Sequence, residues 1–159
     1  MSIDIRLLQD ALRAQPSDID EPEIDLEVER MGDEAFDWIA GELSTGSLAP
    51  SENVRGLRLL ARLTRQFCLR RKGELLDLVM TIAQSRTAHP DVRSTAAHIA
   101  IMNARIAKGL RDASAAYNRS VDDVEAQVSQ AIRVALEIGL SPHIEAFAKE
   151  FLSASTRTG

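Results

Sequence analysis

Arg55, Arg58, Arg62 and Arg65 stand three, four and three residues apart, so a helix drawn through them carries four guanidinium groups along one face. At about 1.5 Å per residue the ridge would span about 15 Å. Guanidinium groups pair bidentately with carboxylates and phosphates, so this chemistry is recognition of an acidic surface, an acidic peptide or phosphates, not proton transfer. Arg70, Arg71 and Lys72 follow toward the end of the same expected helix, and Arg93 on a neighbouring element would widen the ridge into a groove. The candidate partner-binding residues are therefore Arg55, Arg58, Arg62, Arg65 and Arg93. Three readings stay open: recognition; a solvated helix face, with Arg55 structural between helix pairs; and neutralisation by the chain's own acidic run, Asp18, Asp20, Glu21, Glu23, Asp25, Glu27 and Glu29.

Other reactive side chains form no recognisable catalytic set. His89, His98 and His143 lack a metal-like spacing, and the sequence has no His-Glu-x-x-His, glycine-rich phosphate loop or serine elbow. His98 is expected to pack or hydrogen-bond. Cys68 is the only cysteine, so no intramolecular disulfide forms; nearby cations would lower a thiol's pKa, but a buried, inert thiol is the expected role. No catalytic residue, cofactor or metal is expected, and the reading is of a protein that is not an enzyme. Trp38 is out of phase with Phe36, Ile39 and Leu43, at a core edge or on a partner surface, and Tyr117 is a smaller candidate for contact from an interhelical loop.

The charge is unevenly spread. Residues 1–50 hold 13 acids against 3 bases and residues 51–110 hold 4 against 11, within a net charge of -5. A dedicated nucleic-acid-binding domain would carry a strong basic excess, so a protein partner with an acidic surface or peptide is favoured, and nucleic acid less so. The acidic stretch also allows an inhibitor or immunity-type protein that binds a toxin or enzyme. No apolar run is long enough for a membrane span, and a cytoplasmic location is expected.

A chain of 159 residues that is 45% hydrophobic, 4% aromatic and 27% charged suits a packed helical domain better than a sheet. Periodicity predicts helices over 3–14, 23–43 with an interruption near Gly32, 51 to about 72, 74–86, 90–116, 120–138 and from 141 onward. Residues 15–25 read as a linker with a possible helix start at Pro22, and 44–50 as a tight turn. Ser51 is expected to cap the arginine helix, Gly73 to end it, and Val92, Ala96, Ile99, Met102 and Ile106 to form the apolar stripe of the next long helix but one. A single all-helical domain is expected over 1–153, with a frayed tail at 154–159.

Two helix pairs can be superposed in sequence: Phe36, Ile39, Ala40 and Leu43 match Leu75, Leu78, Val79 and Ile82 at an offset of 39, and Asn53-Val54-Arg55 matches Asp91-Val92-Arg93 at an offset of 38. His89-Pro90-Asp91-Val92-Arg93 and, more loosely, Pro50-Ser51-Glu52-Asn53-Val54-Arg55 resemble the start of the second helix in HEAT repeats. The resemblance is clearest over 33–110. It implies an all-α fold, either a short HEAT-like helical-repeat solenoid or a compact helical bundle of six to seven helices, and a non-catalytic scaffold or adaptor that binds proteins through helix faces.

Overall fold

A computed structural model describes residues 4–14 and 21–158, with the side chains of 21–24, 66 and 156–158 excepted. The described residues contain helices and no strand. In chain order they are α1 (Ile5–Arg13), α2 (Glu21–Met31), α3 (Asp33–Thr45), α4 (Pro50–Gln66), a 3₁₀ turn (Leu69–Arg71), α5 (Lys72–Ala83), α6 (Pro90–Gly109), α7 (Ala113–Tyr117), α8 (Val121–Ile138) and α9 (Pro142–Thr158). That makes nine α-helices among the described residues, where seven are expected at most. Two expected helices are each divided. Gly32 adopts φ +55°, which separates α2 from α3, and Leu110 is extended at φ -84°, ψ 135°, which stops α6 before the short α7.

Local chemistry accounts for most of the ends. Asp4 accepts a hydrogen bond from the Leu7 amide, and Ser120 accepts one from the Asp123 amide, each satisfying an otherwise bare donor in a first helical turn. Pro50, Pro90 and Pro142 each stand at the first position of their helix, where no amide is required. Ser51 is not the cap of α4. The helix starts one residue earlier, at Pro50, and the Glu52 carboxylate accepts from the amide of Ala49, whose methyl side chain has nothing to offer. At the other end α9 runs through the tail expected to fray, because no proline or glycine stands between Pro142 and Gly159 and extending an existing helix costs little.

The chain clusters into two compact units, Met1–Leu69 and Arg70–Gly159. In the first unit, Leu8 and Leu12 of α1, Phe36 and Ile39 of α3, and Leu57, Leu60 and Leu63 of α4 are buried together. Gly56 marks the closest approach: a Cβ there would lie 3.2 Å from Leu12, 3.3 Å from Leu43 and 3.4 Å from Ile39, so α4 sits down tightly against α1 and α3. Val28, fully buried, anchors α2; removing such a side chain from water is worth about 1.5–3 kcal/mol. Trp38 is half-buried, and so is Val54.

In the second unit α6 is the central rod, in contact with α5, α7, α8 and α9. Its burial differs from the expected stripe. Val92, Ala96 and Ile99 are buried, but Met102 is 38% exposed and Ile106 half-buried, while Ala97, Ala100, Ile101, Ala104 and Ala107 are packed away. Small alanine side chains let neighbouring helices approach α6 on several sides, so burial spreads around the rod instead of following one row of larger residues.

Gly73 does not terminate α4. It is the second residue of α5, buried, and a Cβ there would stand 2.6 Å from the backbone oxygen of Tyr117. The position demands absence of a side chain for close approach, not a left-handed conformation. Tyr117 itself is fully buried and not a surface contact: its hydroxyl lies 2.8 Å from Asn103 Oδ1 and 3.2 Å from the Asn103 carbonyl oxygen. Burial raises its phenol above the ordinary tyrosine pKa.

Candidate functional site

Arg55, Arg58, Arg62 and Arg65 all lie on α4, as their spacing requires, but they divide into two kinds. The Arg55 Nε donates to the Ala11 carbonyl oxygen at 3.0 Å, and its Nη2 donates to Asp25 Oδ1. Arg62 Nη1 donates to Asp25 Oδ2 at 2.9 Å, and its Nε donates to Glu29 Oε1. One carboxylate therefore bridges two guanidinium groups seven residues apart. The side chains of Asp25 and Arg55 are only 6% and 12% exposed, so this pairing operates where water screens it weakly. Arg62 is 40% exposed and keeps an outer edge in solvent.

Local rules explain how the acids arrive. Asp25 and Glu29 are four residues apart on α2 and so share a face, and Arg55 and Arg62 are two turns apart on α4. Val28 lies on the neighbouring strip of α2 and is buried with them. Asp25 falls inside a helix, as the periodicity from residue 23 predicts, although the linker reading of 15–25 overlaps it; α2 begins at Glu21 with Pro22 second, a first-turn position that proline tolerates. Asp18 and Asp20 lie outside the described residues, as do the side chains of Glu21 and Glu23.

Arg58 and Arg65, in contrast, are exposed, and neither joins an ion pair among the described residues. They too are seven residues apart, on the outward part of α4. Arg70 is also exposed, whereas Arg71 pairs with Glu74 within hydrogen-bond distance, 2.7 Å at the shorter contact, and Lys72 is buried.

Arg93 belongs to the second unit and is 5% exposed. Its guanidinium is engaged with backbone: Nε donates to the Gly139 carbonyl oxygen at 2.9 Å, and Nη1 to Ala88 at 2.8 Å and to Ser85 at 3.4 Å. Ser94 beside it accepts from the Ser141 amide at 2.9 Å, so the start of α6 holds the α8–α9 connection. A buried guanidinium with three carbonyl partners ties chain segments together and does not present itself to solvent.

The histidines are dispersed. His89 Nδ1 accepts from the Asp91 amide at 3.1 Å and caps α6, while His143 is exposed in the first turn of α9. His98 is exposed and meets the Phe147 ring edge-on at 5.3 Å between centroids, and the Arg105 guanidinium lies over the Phe147 ring, 4.7 Å from its centroid. Cys68 is buried. Among the described residues no group of histidine, cysteine, aspartate and glutamate side chains has the arrangement to hold a metal ion. No helix among them is long and apolar enough to cross a membrane.

No protein-family model, curated protein or solved structure matches this chain. What the site can do rests on its own geometry.

Proposed function

We propose that this chain is a non-catalytic protein-binding module, a scaffold or adaptor of the HEAT-like helical-repeat kind, that takes an acidic segment of a partner protein onto the outer face of α4. The observation carrying this reading is the division of the ridge. Arg55 and Arg62 hold carboxylates, whereas Arg58 and Arg65 stand exposed two turns apart on the same helix. Two guanidinium groups at that spacing match two carboxylates about 10 Å apart on an incoming peptide, and Arg62's solvent edge lies between them.

The repeat reading is supported by an equivalence of bonds. Arg55 and Arg93, 38 residues apart, each direct Nε to a backbone carbonyl at or just beyond the end of another helix, Ala11 in α1 and Gly139 after α8. A protein partner is favoured over nucleic acid because the chain's net charge is -5 and part of its basic middle is neutralised internally.

The test is titration of the full chain with a fluorescent polyglutamate peptide and with a DNA duplex of equal charge at physiological salt. The expected result is peptide binding that is lost in R58E/R65E with helical content unchanged. Binding retained in that double variant overturns the assignment to α4, and tighter binding of the duplex moves the protein to the nucleic-acid class.

A further inference from the structure

The acids on α2 stand where an acidic ligand would stand. Asp25 spans Arg55 and Arg62, and Glu29 takes the Nε of Arg62, so α2 makes with α4 the same carboxylate–guanidinium pairs that a partner's acidic segment would make. We infer that α2 is a displaceable acidic strap, an internal mimic of the ligand, which limits access to α4 until a multivalent acidic segment exchanges with it. This rests on the reading of α4 as an acidic-peptide site and adds its regulation.

Three features of α2 fit exchange. It is short, 11 residues, and a helix of that length is marginal without tertiary support. Among residues 25–31, whose side chains are described, Val28 is the only fully buried apolar one, Leu26 is 49% exposed, and Asp25 and Glu29 supply ion pairs to α4. The exchange also conserves charge pairing. As Asp25 and Glu29 move into water, a ligand's carboxylates take over Arg55 and Arg62, and no buried guanidinium is left bare at the end of the swap. Arg55 meanwhile keeps its bond to the Ala11 carbonyl, which does not depend on α2.

Arg58 and Arg65 give the incoming segment its first hold. A tethered strap competes at a high effective concentration, so a single carboxylate would not displace it, whereas a run of acids already seated on two exposed arginines would. The strap thereby selects for ligands with several acids in series and suppresses weak encounters with isolated ones.

The experiment compares polyglutamate binding by the wild-type full chain and by D25N/E29Q, which keeps side-chain size while removing the strap's charge. The expected result is affinity at least tenfold higher in the variant. Equal affinity overturns the strap while leaving α4 as the binding face, and absence of binding in both forms overturns the two together. Hydrogen exchange on the wild-type chain provides a second reading should the variant fold poorly. Saturating peptide is expected to speed exchange of α2 amides while α4 stays protected, and unchanged α2 exchange with peptide bound rejects displacement.

Discussion

Arg55 and Arg93 stand in similar sequence contexts, Asn53-Val54-Arg55 and Asp91-Val92-Arg93, and each sends Nε to a backbone carbonyl on a distant segment. They differ in the rest of the guanidinium. Arg55 directs its Nη2 to the charged Asp25, which it shares with Arg62, while Arg93 completes its shell with the neutral carbonyls of Ala88 and Ser85. The first arrangement is ionic and coupled to a second arginine; the other is a clamp of dipoles. The same residue in equivalent sequence contexts therefore yields a junction sensitive to competing anions in one region and a fixed structural tie in the other.

The sharpest break in that comparison is Arg55→Ala, which strips a buried carboxylate of one of its cations; a loss of about 3–5 kcal/mol is expected by urea denaturation. Arg93→Ala is expected to cost less, about 1.5–3 kcal/mol, because what it abandons are neutral acceptors. If the second loss equals or exceeds the first, the distinction between ionic and dipolar junctions fails. Gly73→Ala probes the second region's packing without touching charge: the added methyl meets the Tyr117 backbone at 2.6 Å, and about 1–3 kcal/mol of destabilisation is expected in the same assay.

Tyr117→Phe is expected to cost about 1–2 kcal/mol at neutral pH by leaving Asn103 Oδ1 without its partner. It also has a pH signature. Burial raises the folded phenol's pKa above the unfolded value near 10, so the neutral form is favoured in the fold. That contribution is fully present below about pH 10 and is lost as pH rises above it, since the unfolded chain then gains stability by releasing the proton. Tyr117 is the only tyrosine, so ultraviolet absorbance followed during alkaline titration reports on it alone, and the phenylalanine variant should show a shallower alkaline fall in stability. The smallest effect belongs to Arg58→Ala and Arg65→Ala, each within about 0.5 kcal/mol of wild type in thermal or chemical unfolding, because exposed arginines outside an ionic network contribute little to folding. A larger loss would show these two arginines to be structural.

Much of the helical architecture was legible because punctuation residues are local. Pro90 and Pro142 open helices, Ser120 caps one, and Gly32 interrupts another, each through the backbone geometry of its own turn. What escaped depended on contact between distant residues. Gly73 reads like a helix terminator in sequence, and only the nearness of Tyr117 reveals a close-approach position. Tyr117 sits beside polar residues and reads as exposed, yet Asn103 supplies a buried hydrogen bond from 14 residues away. On α6 the larger Met102 suggested a core position, while the alanines were the residues actually enclosed.

For the site, matching opposite charges pointed to internal neutralisation by an acidic run that includes Asp25 and Glu29, but not to which acids meet which arginines. Periodicity places all four arginines of α4 on one face; it cannot say that Asp25 and Glu29 reach Arg55 and Arg62 and bypass Arg58 and Arg65. That choice depends on the placement of α2, a property of tertiary packing. Arg93 shows the same limit, since its environment is made by the loop after α8, far along the chain.

A carboxylate serving two guanidiniums also makes α4 a poor candidate for transplantation. Moved into a foreign scaffold without α2, the helix would bring two cations whose counter-ions stayed behind, and a selective surface would become an indiscriminate polycation prone to collecting nucleic acid. Any graft of this face must carry Asp25 and Glu29 with it, or replace Arg55 and Arg62 by neutral residues.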